Sequence, residues 1–211
     1  MPNFLGGIDY TWPFYAAAVI GYFLGSIPVG LLLTKFAGRG DIRQIGSGSI
    51  GATNVLRTGS KKLAAATLVL DALKGAVPVL VAEQLYGVDM AIMAAYGAIL
   101  GHCFPLWLKF KGGKGVATAL GIILAFSPLV AGLLAAVWLL VAVLFRYSSL
   151  AALAAVAAAP VVSYLIEGRH LTITISLIAG LILLRHHSNI GRLLRGQESK
   201  ISFRKSSSKN S

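Results

Sequence analysis

Long apolar segments separated by short basic loops constrain this sequence more than any other feature. Hydrophobic residues make up 56% of the chain and charged residues only 12%, about half the charged fraction of a typical soluble domain. A helix of about 20 apolar residues crosses the hydrocarbon core of a bilayer. Because backbone polar groups inside lipid must be satisfied within the protein, such segments are expected to be helices. The sequence therefore predicts an all-α integral membrane protein.

Seven apolar segments predict seven transmembrane helices. They cover approximately residues 12–34, 63–82, 91–108, 116–126, 128–145, 149–166 and 171–184. The fourth is short and ends at Ser127-Pro128, so we expect it to be tilted or partly re-entrant. The sixth contains the alanine-rich stretch 151–159, which suits close packing of helices in lipid.

The basic residues predict how the chain is oriented. With seven spans, all Lys and Arg residues except Lys74 and Arg169 fall on one side of the membrane. The positive-inside rule makes this side cytoplasmic, with the C-terminus cytoplasmic and the N-terminus outside. Residues 1–34 contain no Lys or Arg, so the first segment is interpreted as a permanent span and not as a signal peptide.

Composition also predicts the domain organisation and which ligands are not expected. We predict one membrane-embedded domain over residues 1–198 and a disordered basic tail over 199–211. The net charge of +12 is explained by topology, so no nucleic-acid partner is expected. The single cysteine, Cys103, cannot form an intramolecular disulfide. No Cys/His or carboxylate cluster suggests a metal, and no cofactor is expected.

The first polar segment runs from Gly46 to Arg57. Glycines such as Gly46 and Gly48 allow backbone N–H groups to converge on an anion. Neutral donors are available from Ser47, Thr53 and Asn54, and Arg57 can bind a phosphate through two hydrogen bonds. The alternative is a flexible loop before a helix, with Thr53 or Asn54 as its N-cap. Glycines beside an arginine at a membrane face favour anion binding.

The second polar segment is a glycine-rich loop containing Gly112, Gly113, Lys114 and Gly115. It predicts a backbone nest with an ammonium group, leading into a helix N-terminus. It is not a nucleotide-binding P-loop, because it lacks the required glycine and the hydroxyl residue after the lysine. His102 lies upstream and is a weaker candidate, since it can equally cap a helix or hydrogen-bond inside the bundle.

The third polar segment covers 185–198 and contains His186, Asn189 and Glu198. If the last span continues as a helix, His186 and Asn189 share one face. A basic flank after a membrane span explains the arginines but not these three residues. In the second span, Asp71 and Lys74 are expected to form an ion pair that shapes the polar cavity, with a structural role ahead of a catalytic one.

These ordered motifs resemble the bacterial acyl-phosphate:glycerol-3-phosphate acyltransferase family, also called the PlsY family. The resemblance covers nearly the whole chain, through GSIPVG, GSGSIGATNVLRTG, DALKG, GHCFPLWLKFKGGKGVAT and HHSNIGRLLRGQESKI, with departures at Ser49 and His187. It implies a seven-span enzyme of the bacterial inner membrane whose active site faces the cytoplasm. It implies no cofactor and no obligate protein partner.

The resemblance also implies the reaction: acyl phosphate and glycerol 3-phosphate give lysophosphatidic acid and inorganic phosphate, the first acylation of phospholipid synthesis. It assigns catalysis to Ser47, Arg57, Lys114, His186 and Asn189. It assigns phosphate or substrate binding to Gly112, Gly113, Gly115 and Glu198, and the residue pattern of the first segment adds Gly46, Gly48, Thr53 and Asn54. Lys114, the glycine-loop amides and Arg57 would stabilise the departing phosphate. Either His186 or the donor phosphate would take the proton.

A different class of function is also compatible with basic loops at one membrane face. A carrier or channel for a phosphorylated solute or lipid would need similar anion capture. No inverted repeat is visible in the sequence, which disfavours this alternative. A lipid phosphatase or phosphotransferase is disfavoured because its metal-binding carboxylates or nucleophilic histidine pattern is missing.

Overall fold

The computed structural model describes residues 7–201, and within that range all regular secondary structure is helical. The α-helices are α1 Ile8–Gly25, α2 Val29–Phe36, α3 Ala52–Leu56, α4 Lys61–Tyr86, α5 Val88–Cys103, α6 Val116–Phe126, α7 Pro128–Phe145, α8 Ser148–Glu167, α9 Arg169–Arg185 and α10 His187–Leu194. Most of the tail predicted to be disordered, residues 202–211, lies outside the described residues. Residues 199–201 are described and contact the rest of the protein.

Five helical segments are long and apolar enough to span a bilayer: Thr11–Phe36, Lys61–Tyr86, Val88–Leu108, Pro128–Phe145 and Ser148–Glu167. Helices α9 and α10 give a sixth if the pair counts as one span, although it is bent by 58°. Helix α6 has 11 residues, fewer than a full crossing needs. The described residues thus support the all-α membrane class, while the count of seven and the orientation of the termini stay predictions.

The first apolar segment is broken between α1 and α2. Proline has no backbone N–H and disfavours helical geometry in the residue before it, so the helix is interrupted at Pro28. The carbonyl groups exposed by this break accept hydrogen bonds from side chains elsewhere in the chain. Trp107 Nε1 donates to the Ser26 carbonyl at 2.7 Å, and Lys74 Nζ donates to the Ile27 carbonyl at 2.7 Å.

Glycines bring the helices that carry the site into close contact. A Cβ atom on Gly25 would lie 2.1 Å from the Ala98 carbonyl oxygen, so α1 packs against α5 backbone to backbone. A Cβ atom on Gly121 would lie 1.9 Å from the Ala72 carbonyl oxygen, which makes the same contact between α6 and α4. Close approach through small residues is the usual way in which helices associate in lipid.

Four segments that carry basic residues on the predicted cytoplasmic side lie together at one end of the bundle. Arg57 donates to Ser199 Oγ, and Arg185 donates to the carbonyls of the glycine-rich loop. The Ile201 N–H donates to the Arg146 carbonyl at 2.7 Å. We call this end the basic face, defined by residues 37–60, 104–115, 146–147 and 186–201. The predicted functional segments therefore come together in space.

Candidate active site

A cavity of about 370 Å³ extends from the basic face into the bundle. Its polar end is lined by all five residues to which the sequence analysis assigned catalysis, together with Glu198: Ser47, Arg57, Lys114, His186, Asn189 and Glu198. Its deeper part is lined by apolar side chains from α6, α7, α8 and α9. One cavity thus joins a polar head region to an apolar body.

Asn54 organises the first segment by hydrogen bonding to its backbone. The Asn54 amide nitrogen donates to the carbonyls of Ile42, Ile45 and Ser49 at 3.0, 2.9 and 2.8 Å. Its Oδ1 atom accepts from the Ser47 N–H at 3.2 Å. Both this side chain and the Ser47 amide are therefore engaged within the loop. Asn54 holds the loop in shape. The donors that the first segment presents at the cavity are the Ser47 hydroxyl and the Arg57 guanidinium, which also donates to Asn54 Oδ1 and to Ser199 Oγ.

The glycines of the first segment allow the backbone of the loop to turn. Gly46 has φ +56°, and a Cβ atom there would collide with the side chains of Arg57 and Asn54. Neither Gly46 nor Gly48 lines the cavity. Helix α3 begins after Gly51 without a side-chain cap, so the alternative in which Thr53 or Asn54 is the N-cap is wrong. The Thr53 hydroxyl instead shares a 3.0 Å hydrogen bond with Ser148 of α8.

The glycine-rich loop differs from the predicted nest. The Gly112 N–H donates to the Cys103 carbonyl at 3.2 Å, and the Gly113 N–H donates to the His102 carbonyl at 3.1 Å. These two amides are consequently engaged with the end of α5 and do not point freely at the cavity. Gly113 also makes room for a histidine, because a Cβ atom would lie 2.1 Å from His102 Nε2. Gly115 lines the cavity and is the N-cap of α6, with φ +86°.

Arg185 clamps the same loop, a role that the sequence analysis missed because the residue looked like a basic flank of a membrane span. Its Nε and Nη2 atoms donate to the carbonyls of Gly113 and Gly112, each at 3.1 Å. Its guanidinium carbon also lies 5.0 Å from the centre of the Phe104 ring. The two amides and the two carbonyls of Gly112 and Gly113 are therefore all hydrogen-bonded, which holds the loop and the adjoining Lys114 in place.

Lys114 presents an unpaired ammonium group to the cavity. Within residues 7–201 it makes no hydrogen bond and no ion pair, although its side chain is partly buried. The pKa of Lys114 is lowered to about 8, first by burial and then by the cations Arg192, Arg57 and Arg185, against the opposing effect of Glu198. Lys114 is thus mostly protonated near neutral pH and, among the described residues, has no counter-ion in contact with it. An anionic ligand would supply one.

His186 lies where the chain bends by 58° between α9 and α10. The last span therefore does not continue through His186 as one straight helix, which was the condition for His186 and Asn189 to share a helix face, yet both residues line the cavity. His186 Nδ1 lies 2.8 Å from the Ile182 carbonyl oxygen. A carbonyl only accepts, so Nδ1 carries the proton, and in the neutral ring Nε2 keeps its lone pair.

Glu198 connects the third segment to α8. It accepts hydrogen bonds from Ser149 at 2.9 Å, Asn189 at 2.8 Å and Arg192 at 2.6 Å. Burial raises the pKa of Glu198, but these three donors outweigh burial and bring it below its usual value. The Asn189 amide is thereby oriented with its nitrogen on Glu198. Its Oδ1 atom is buried and has no partner within the described residues, which leaves an acceptor available for a ligand hydroxyl.

A buried polar network adjoins the polar end of the cavity. The Lys74 ammonium lies 2.7 Å from Asp71 Oδ1 in an ion pair between two buried side chains. His102 Nδ1 lies 3.0 Å from the Thr118 hydroxyl and 3.8 Å from Asp71 Oδ1. Of Asp71, Lys74 and His102, only His102 lines the cavity. The network ties α4, α5 and α6 together behind the glycine-rich loop.

These features define a membrane protein whose site suits an amphiphile with an anionic head group. Cationic and neutral donors occupy the polar end, while a bundle of membrane helices surrounds the apolar part. The comparisons with known proteins identify the family.

The sequence profile of the family described as Glycerol-3-phosphate acyltransferase matches residues 15–196. The glycerol-3-phosphate acyltransferase of Brucella anthropi is 56% identical over 185 residues, which cover 88% of this chain and 92% of that protein. The one from Methylorubrum populi is 56% identical over 191 residues, which cover 90% of this chain and 94% of that protein. This chain belongs to the glycerol-3-phosphate acyltransferase family.

Solved structures agree with this assignment. A crystal structure of PlsY, an integral membrane glycerol 3-phosphate acyltransferase in its glycerol 3-phosphate form, matches with a TM-score of 0.85 at 38% identity. The match covers 90% of this chain and 96% of that one. The lysophosphatidic acid form of the same enzyme matches with a TM-score of 0.83. The predicted membrane-protein class and family are both confirmed.

Proposed function

We propose that this protein transfers a fatty acyl group from acyl phosphate to the sn-1 hydroxyl of glycerol 3-phosphate. The products are lysophosphatidic acid and inorganic phosphate. One observation carries the proposal: the Lys114 ammonium, which has no partner among residues 7–201, lies at the polar end of a cavity whose remainder is apolar. An acyl phosphate has a matching anionic head and apolar chain. Relatives named glycerol-3-phosphate acyltransferase support the acceptor.

Charge stabilisation and positioning supply the catalysis in this proposal. The acceptor hydroxyl oxygen attacks the acyl carbonyl carbon, and the bond from that carbon to the phosphate oxygen breaks. The leaving phosphate takes the electron pair. Lys114 and Arg57 stabilise its charge and the Ser47 hydroxyl donates a hydrogen bond, as preorganised donors do in other acyl transfers. Because phosphate is already a good leaving group, no covalent enzyme intermediate is needed.

Two acceptor atoms are available for the glycerol hydroxyl. The unpaired Asn189 Oδ1 can accept its hydrogen bond, and Glu198 holds the amide in that orientation. The proton of the attacking hydroxyl goes either to His186 Nε2 or to an oxygen of the donor phosphate. Glu198 is already engaged by three donors, so it acts as a positioning residue.

We also propose the topology that the sequence predicts. The chain makes seven crossings in the bacterial inner membrane, with α6 as a short crossing and α9 as the last. The N-terminus lies outside, and the basic face with its cavity faces the cytoplasm. The gathering of the four segments of the basic face at one end of the bundle supports this arrangement.

The test is acyl transfer by purified protein in lipid nanodiscs without added metal. Labelled glycerol 3-phosphate is supplied with palmitoyl phosphate and, in parallel, with palmitoyl-CoA. We expect lysophosphatidic acid from the phosphate donor alone. Product from the CoA donor alone would overturn the donor assignment. Folded protein that gives no product but moves glycerol 3-phosphate into liposomes would instead be a carrier.

A further inference from the structure

The apolar part of the cavity ends at a defined floor. Five buried residues both line the cavity and belong to one apolar cluster: Ile123, Leu134, Ala159, Ile175 and Ala179. Leu134 of α7, Ala159 of α8 and Ile175 of α9 are the members of this set that lie furthest from the basic face along their helices. Other members of this cluster, Val130 on α7 and Val162 on α8, do not line the cavity. They lie beyond Leu134 and Ala159 as counted from the basic face. The cluster therefore closes the cavity at this level.

The depth of the floor follows from helix geometry. Ser149 of α8 marks the polar end, because its hydroxyl donates to Glu198, and Ala159 lies ten residues further along the same helix. At 1.5 Å per residue this is about 15 Å. On α9, Ile175 lies eleven residues before His186, which gives about 16 Å. Two helices thus give similar depths independently.

This depth corresponds to a particular chain length. An extended hydrocarbon chain advances about 1.25 Å per carbon–carbon bond, from the bond length near 1.5 Å and the tetrahedral angle. The straight part of the cavity therefore accommodates roughly twelve bonds. Each further methylene has to bend aside or displace side chains of the floor.

We propose that Ala159, together with Leu134 and Ile175, determines the acyl-chain length that the enzyme prefers. Ala159 is the smallest of the three and is only 3% exposed, so its size decides how far a chain reaches along α8. The proposal rests on the proposed function, since the occupant of this space is the acyl chain of the donor. The head-group contacts lie at the other end and are the same for every chain length.

The experiment compares kcat/KM for decanoyl, myristoyl and palmitoyl phosphate in three single variants and the wild type. A159F raises the floor and is expected to lower the palmitoyl-to-decanoyl ratio by about tenfold or more. L134A removes volume from the floor and is expected to raise that ratio. A157F is the matched control, because Ala157 lies on the same helix but is exposed and outside the cavity. Its ratio should equal that of the wild type.

The possible outcomes are distinct. Ratios that stay at the wild-type value in A159F and L134A, with activity retained, overturn the proposal. If A159F fails to fold, L134A decides alone: a higher ratio supports the proposal and an unchanged ratio contradicts it. An equal fall in the ratio for A157F also contradicts it. Absence of turnover with every donor in folded wild-type protein overturns the proposed function itself.

Discussion

At the scale of single residues, the charge of Lys114 links pH to activity. The pKa of Lys114 is lowered to about 8, first by burial, so its ammonium is mostly charged at pH 7 and is lost as pH rises through that value. Phosphate monoesters complete their ionisation near pH 6 and do not titrate in this window. We therefore expect kcat/KM to fall above about pH 8, measured as a pH–rate profile.

The variant K114R separates this group from others that titrate in the same range. An arginine stays charged throughout, so the alkaline fall should move to higher pH even if its different shape lowers the rate. An alkaline limb at the same pH in K114R would show that another group is responsible.

The sequence identified the residue types at the polar end but not how each is used. Ser47, Arg57, Lys114, His186 and Asn189 reach one cavity because their segments meet at the basic face. The backbone amides of Gly112 and Gly113 instead donate hydrogen bonds to carbonyls at the end of α5. Which carbonyl accepts from which amide depends on tertiary contacts across the loop, and no local pattern encodes it.

At the scale of elements, Arg185 of α9 controls the glycine-rich loop between α5 and α6. R185M removes two hydrogen bonds to loop carbonyls while keeping an unbranched side chain. Arg185 holds the carbonyls of Gly112 and Gly113, the two residues that precede Lys114. We therefore expect roughly a tenfold to hundredfold loss of kcat through misplacement of the Lys114 ammonium. The matched control is R195M, since Arg195 follows the last residue of α10, is exposed, and its side chain hydrogen-bonds only to Gln197 among the described residues.

The conservative variant R185K tests this positioning role. R185K retains the charge but not the paired geometry of the guanidinium, so it should resemble R185M more than the wild type. Wild-type kcat in both Arg185 variants would show that the loop holds its shape without the clamp.

The close packing of α6 against α4 at Gly121 can also be tested at the scale of elements. G121A places a Cβ atom 1.9 Å from the Ala72 carbonyl oxygen, whereas the same change at Gly132 of α7 meets nothing within 4 Å. Overpacking costs about 1–3 kcal/mol, which should lower the Tm of G121A by several degrees. G132A should not lower the Tm, because alanine is the better helix former. Equal Tm values for the two variants in detergent would contradict the assigned packing.

Helix positions were predictable where apolar runs are long and bounded, as in α4, α7 and α8. Breaks inside apolar runs were less predictable. The interruption at Pro28 is tolerated because Trp107 and Lys74 supply donors from distant parts of the chain. The bend at His186 likewise falls within a stretch that helix periodicity alone would continue.

At the scale of the whole molecule, topology is open to direct measurement. The single cysteine, Cys103, is fully buried, so a thiol introduced at the surface can be followed against low background. We expect R169C, at the first residue of α9, to react with a membrane-impermeant maleimide in intact spheroplasts. We expect K111C, on the basic face, to react only after permeabilisation. Labelling of K111C from outside would reverse the proposed orientation.

The central claim is that one cavity binds a phosphate head at Lys114 and an acyl chain below it, so that acyl transfer releases phosphate. The most direct measurement is the stoichiometry of products from palmitoyl phosphate and glycerol 3-phosphate. We expect equimolar lysophosphatidic acid and inorganic phosphate from the wild type and from K111A, whose lysine is exposed outside the cavity. K114A should lose roughly a hundredfold or more in rate. Phosphate release without lysophosphatidic acid, or full activity in K114A, would contradict the account.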